Sequence, residues 1–135
     1  MFQKHNGFYL IRFLPNEEVA TGLQQFCVDH HISGGFISGL GAAKEIEFSH
    51  FSMETKKYTT FTKHEVEITN ITGNISVEKL HLHVTIGDNT GKAFAGHLMR
   101  CIADPTVEIM ITPFPETHRK LDEYSGLNLL DLKSI

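Results

Sequence analysis

From Leu80 to Leu98 apolar and polar residues alternate on either side of a Gly87-Asp88-Asn89-Thr90-Gly91 turn, and this pattern favours an antiparallel hairpin. Side chains along a strand point to opposite faces in turn. With a five-residue loop and Ile86 paired to Lys92, one face carries Leu80, Leu82, Val84, Ile86, Phe94 and Leu98. The other carries His81, His83, Thr85, Ala93, Ala95 and His97. This register sets Val84 opposite Phe94, Leu82 opposite Gly96 and His81 opposite His97, with His83 diagonal to His97. Directly opposed residues on one face have Cβ atoms about 4.5–5.5 Å apart. A slip of one residue would send His97 to the other face from His81.

Three imidazoles converging on one face, with a dry face behind them, match a zinc-type site that keeps an open coordination position. The neighbouring alanines leave room above the sheet. Imidazole also suits copper, iron and nickel, so the cofactor is read as a divalent transition metal, Zn2+ first. The competing reading makes His81 and His83 solvent-facing residues of an edge strand.

The chain is long enough for one domain with a real core, taken here as residues 1–135. Apolar content of 41% and charged content of 21% are those of a soluble globular protein. No apolar stretch approaches the ~20 residues of a membrane span, and the N-terminus lacks a signal-peptide core, so a cytoplasmic location and no membrane partner are expected. The formal charge of −4 counts against strong nonspecific nucleic-acid binding, which needs a basic patch. Cys27 and Cys101 lie far apart in apolar contexts and read as buried free thiols.

Phe8–Leu14 reads as a strand rich in aromatic and β-branched residues. Asn16 is the expected helix N-cap, with Glu17 and Glu18 at the positive end of the dipole. Val19, Leu23, Phe26, Cys27 and His30 form an apolar stripe, so the helix is expected to run to about His31 and stop at Ser33-Gly34-Gly35. His30 and His31 suit the negative end of the helix dipole. Gly39-x-Gly41 lacks the third glycine of a phosphate loop and precedes a strand, so a bulge is expected. Further strands are expected at Ile46–Phe51, Tyr58–Thr62, Val66–Ser76 with a bulge near Asn70, and Thr106–Ile111. The tail from Glu116 onward is expected to be partly helical or irregular, with Leu127, Leu129 and Leu130 packing against something. The fold class is α+β: an antiparallel-rich sheet with one main helix. A mixed sheet face with Phe51, Met53 and Phe61 suits self-association.

Gly35-Phe36-Ile37-Ser38-Gly39-Leu40-Gly41-Ala42, then Glu67-Ile68-Thr69-Asn70-Ile71-Thr72-Gly73-Asn74-Ile75-Ser76, then Leu80-His81-Leu82-His83-Val84 and Gly96-His97-Leu98 occur in this order. The combination resembles the PPC domain (plants and prokaryotes conserved), over about residues 5–115 with a tail at 116–135. The resemblance implies a compact α+β domain assembling as a homotrimer. In plants the domain accompanies AT-hook DNA-binding motifs, which this chain lacks. It is more similar to stand-alone prokaryotic members, where the matching histidines can hold a zinc-like ion. That adds weight to His81, His83 and His97 as metal ligands.

Glu67, out of phase with Val66 and Ile68, is a candidate acceptor for an imidazole N–H or a general base, set against a surface carboxylate paired with lysine. Arg100 reads as an ion-pair partner before an anion binder, and His118 as a tail residue. No nucleophile elbow or phosphate loop appears, so any catalysis would be metal-based hydrolysis or hydration of a small polar substrate. Three functions are therefore open. One is a metal-binding homotrimer with a small-molecule ligand. Another is a DNA-associated regulator, which needs a continuous basic stripe built across three subunits from Lys44, Lys56, Lys57, Lys63 and Arg100. The last is a pure oligomerisation or partner-binding module.

Overall fold

Three very long strands carry the architecture, shown by a computed structural model that describes residues 1–133; Ser134 and Ile135 of the tail lie outside the described residues. The elements are β1 (Phe2–His5), β2 (Phe8–Phe13), α1 (Val19–Asp29), β3 (Gly35–Ser52), β4 (Lys57–Ile75), β5 (Leu80–Gly87), β6 (Ala93–Pro113), β7 (Arg119–Leu121) and β8 (Asn128–Leu130). The main sheet runs β1-β2-β6-β3-β4-β5, every pairing antiparallel, and β5 pairs again with β6. Strands β3, β4, β5 and β6 thus close into a ring. The fold is an antiparallel sheet with one short helix, so α+β fits it only loosely.

The strands expected separately are merged. Tyr58–Thr62 and Val66–Ser76, the latter as far as Ile75, belong to one strand of 19 residues, β4. The second hairpin strand and Thr106–Ile111 belong to β6, of 21 residues. Bulges allow such lengths to bend round a core. The register shifts between Gly39 and Gly41, where Gly41 has φ 152°, and between Ile68 and Asn70. Both bulges were expected from the sequence. The tail is not helical: β7 and β8 form a two-stranded sheet, held in part by Lys120 and Asp131. Within it Leu127 and Leu130 are half-buried and Leu129 is exposed.

Inward residues of the ring, among them Ile37, Ile46, Ile71, Val84, Ile86 and Ile109, are essentially sealed from solvent. The helix adds Val19, Leu23 and Cys27 to the same core. Each such side chain contributes roughly 1.5–3 kcal/mol by leaving water. Cys27 and Cys101 are buried free thiols, and burial pushes them up to about 11 and about 12.

The helix cap differs from expectation. Asn16 sits in a turn with φ 74°, and Glu18 is the N-cap. Its carboxylate accepts from the Ala20 and Thr21 amides, the Thr21 hydroxyl and the Cys101 amide of β6. A longer side chain reaches both the helix end and the neighbouring strand, which Asn16 does not. Burial would raise the Glu18 pKa, but these hydrogen bonds outweigh it and hold the carboxyl below its usual range. At the other end the helix stops at Asp29, because His31 adopts φ 54° before the glycines are reached. The His30 Nδ1 lies 3.0 Å from the Phe26 carbonyl, and its ring stacks on Phe26.

Gly73 of β4 faces β5, where an added Cβ would run into the His81 carbonyl and the Leu82 side chain. At Gly87 an added Cβ meets nothing. Gly73→Ala is therefore expected to cost about 1–3 kcal/mol by forcing the strands apart, and Gly87→Ala less than about 0.5 kcal/mol. Equilibrium denaturation of both variants checks this; equal midpoints would contradict it.

Candidate metal centre

Asp88 decides where the hairpin turns. Its Oδ1 accepts from the Thr90 amide, the Thr90 hydroxyl and the Lys92 amide, and its own amide donates to the Lys92 carbonyl at 3.0 Å. Gly91 takes φ 79°, the left-handed conformation such a loop needs. Gly87 therefore pairs with Ala93, Ile86 with Phe94, Val84 with Gly96 and His83 with His97. The expected register, Ile86 with Lys92 and His81 with His97, is corrected by two residues. A shift of two preserves the faces, so the histidines still converge. His83 is now directly opposite His97, and His81 is the diagonal neighbour.

His83–His97 is also the last pair of that ladder. Beyond it β6 leaves β5 and joins β3, where Ser49 pairs with His97 and Phe48 with Leu98. The three histidines stand at this fork. One nitrogen from each lies within 4.8 Å of the others. The His81 and His83 Nε2 atoms are 3.2 Å apart. Two imidazole nitrogens on one tetrahedral zinc ion would be about 3.4 Å apart, given Zn–N bonds of about 2.0–2.1 Å. The donor set thus suits a transition metal with a vacant position. The Ser49 hydroxyl, register neighbour of His97, is buried without a hydrogen-bond partner among the described residues. The Tyr58 ring lies 6.0 Å from the His97 ring. A cleft of about 340 Å3 between α1 and the strands reaches His97, with Thr21, Gln24, Leu80 and Met99 in its walls. A larger hollow of about 680 Å3 lies elsewhere, lined by residues such as Phe2, Leu10 and Leu40 and by no histidine.

Burial, then the charges of His83, His97, Arg119 and Lys79, push His81 down to about 4. Burial, then His83 and Lys79, also lowers His97. Both rings are thus neutral at pH 7, the form that ligates metal.

The remaining candidates fall away from this cluster. Glu67 pairs with Gly87, at the far end of β5 from His81. The five residues from Glu67 to Thr72, the partner of His83, span about 16 Å of strand. Within one chain Glu67 does not join the histidines, and a role there requires a neighbouring copy. Arg100 forms an ion pair with Glu45. His118 is held between Glu116 at 2.9 Å and Glu78 at 3.1 Å, and these bonds raise its pKa. Of the residues that a basic stripe across subunits would draw on, three lysines make local contacts. Lys44 donates to Asn16, Lys56 to the Tyr124 carbonyl, and Lys63 lies over the Phe94 ring.

Sequence reasoning missed Asn74, Lys79, Arg119, Ser49 and Tyr58. Lys79 was accessible, since it precedes His81 by two residues and shares its parity. Arg119 was not, because no local pattern carries a tail residue to β4.

The chain belongs to the Plants and Prokaryotes Conserved (PCC) domain family, whose profile matches residues 3–115. A Bacteroides thetaiotaomicron structure, provisionally named as DNA-binding, is 33% identical with a TM-score of 0.92, covering 97% of this chain and 96% of that one. A plant- and prokaryote-conserved (PPC) protein of Pyrococcus horikoshii is 27% identical with a TM-score of 0.85, covering 100% and 97%. A protein of Archaeoglobus fulgidus named as metal-containing is 24% identical with a TM-score of 0.84, covering 98% and 96%, a likeness of fold. The chain also matches the bifunctional protein GlmU of a Synechococcus strain at 24% identity over 109 residues, and spans 17% of the length of that relative.

The folded protein resists protonating His81, whereas the unfolded chain protonates it near 6.5. The unfolded state therefore binds more protons between about pH 6.5 and about pH 4, and stability falls on acidification through that window. Thermal melts of chelator-treated protein should show this fall, and His81→Gln should flatten it. Parallel slopes for the two proteins would contradict it.

Proposed function

We propose that His81, His83 and His97 bind a divalent transition metal, zinc first, and that the protein is a homotrimer whose sites take a small polar ligand. The observation that carries this reading is the convergence of three imidazoles, one nitrogen of each within 4.8 Å of the rest, with His81 and His97 held below their usual pKa by burial. The metal-containing name of the Archaeoglobus fulgidus structure supports it. Such an ion supplies Lewis acidity, so the reaction class within reach is hydrolysis or hydration of a small substrate. The chain's own part is to hold His81 and His97 neutral and to leave one side of the cluster open. The trimer follows from the family resemblance. It is supported by exposed Met53, Tyr58 and Phe61 on the ribbon formed by the ends of β3 and β4, beside His97.

A second reading, nucleic-acid binding, draws on the provisional DNA-binding name of the Bacteroides thetaiotaomicron relative. The net charge of −4 and the engagement of Lys44, Lys56, Lys63 and Arg100 in local contacts weigh against it. Salt-dependent affinity for duplex DNA would favour it over the metal reading.

Elemental analysis of untagged protein should find about one transition-metal equivalent per chain, lost in a His81→Ala/His97→Ala double variant. Absence of metal after reconstitution would sink the reading. Sedimentation equilibrium should give the mass of three chains, and Phe61→Asp should lower it. An unchanged mass would remove the ribbon from the assembly interface.

A further inference from the structure

The charges that bear on the histidine cluster among the described residues are cationic, those of Lys79 and Arg119. Lys79 immediately precedes β5, and its charge bears on His81, on His97 and on Arg119, which sets it beside the cluster. It is partly buried, and its ammonium has no ion-pair partner among the described residues. Arg119, the first residue of β7, is carried over the same edge. Its Nη2 donates to Asn74 Oδ1, its Nε to Ser76 Oγ at 3.2 Å and its Nη1 to the Asn128 carbonyl at 3.1 Å. Asn74 is the register partner of His81. All three acceptors are neutral, and two of the five guanidinium N–H donors stay uncommitted. The nearest acid, Glu78, is turned to other work: its Oε2 accepts from the Arg119 amide at 2.9 Å and its Oε1 bonds His118 at 3.1 Å.

Gathering two cations beside three imidazoles is unfavourable in a half-buried setting, and a divalent ion would add to the repulsion. Natural sites that accept such a field use it to hold an anion, and the planar guanidinium fork matches the paired oxygens of carboxylate and phosphoryl groups. We propose that the ligand of the histidine site is a small molecule bearing a carboxylate or phosphate, whose anionic group is held by Lys79 and Arg119. This rests on the metal reading for its role in function, but the anion subsite is built from residues that are not metal ligands. The tail segment therefore forms one wall of the site.

Isothermal titration of the full chain tests this, with inorganic phosphate and with acetate as probes, at fixed ionic strength and both metal-loaded and chelator-treated. Wild type is expected to bind at least one of the probes, and the stronger of the two identifies the oxyanion. Lys79→Gln and Arg119→Lys are each expected to weaken that binding about tenfold or more, as for loss of one charge-assisted hydrogen bond, with metal content per chain unchanged. Lys79 bonds Ser76 through its backbone alone, and its side chain has no hydrogen-bond or ion-pair partner among the described residues, so its variant remains readable if Arg119→Lys loosens the tail. Binding of neither probe, or affinities unchanged in the Lys79 variant, would overturn the proposal. Lys79-dependent anion binding in a protein that never takes up metal would support the subsite while the metal reading fails.

Discussion

The change of partner by β6 at His97 is the constraint on which the rest of the molecule depends. Up to that residue the strand completes a ladder with β5; after it, the same strand pairs with β3 and then also with β2. One strand thereby closes the ring that encloses the core and carries the outer strands. Backbone groups at such a fork must be satisfied in two directions, and the glycine beside it shows how tight the passage is. A Cβ at Gly96 would press on the Ser49 carbonyl of β3 at 2.6 Å. A fork also splays the side chains that border it, so a diagonal residue such as His81 is brought over the gap toward His97.

The faces of the hairpin were legible in the sequence because they depend only on parity. Its register was not, because the register depends on how Asp88 folds the loop. Asp88 draws Lys92 into the turn, and the pairing moves by two residues. Since two is the period of a strand, the error left the site intact, with His83 and His81 exchanging roles. The helix shows the opposite case. Its apolar stripe was readable, but its cap is a tertiary feature: Glu18 is chosen over Asn16 because its carboxylate also accepts the Cys101 amide from β6. Strand lengths were misjudged for a related reason. Bulges at Gly41 and near Asn70 let β3 and β4 run on past positions where composition suggests a break.

The N-terminal and C-terminal strands contribute differently to the site. The N-terminal strands β1 and β2 extend the sheet on the side away from the histidines. The tail instead returns to the ends of β4 and β5, where Thr117 Oγ1 donates to the Ile75 carbonyl at 2.8 Å and the Val77 amide donates to the Thr117 carbonyl at 3.0 Å. These bonds set Arg119 next to Asn74. Nothing in the local sequence of Glu116–Leu121 announces that role, because it follows from pairing across more than forty residues.

Acidic groups are handled in a way that sharpens the contrast at the cluster. Glu18 caps a helix, Glu45 holds Arg100, Asp88 closes the hairpin, and Glu78 and Glu116 enclose His118. Each is engaged by a structural task, and none of these tasks faces the histidines. A chain with more acids than bases thus keeps two cations beside its histidines, while these five carboxylates are hydrogen-bonded elsewhere. Net charge alone therefore misleads about the local field: the overall negative sign argues against a broad polyanion surface, while the half-buried Lys79 and Arg119 create attraction over the few ångströms that a small anion requires.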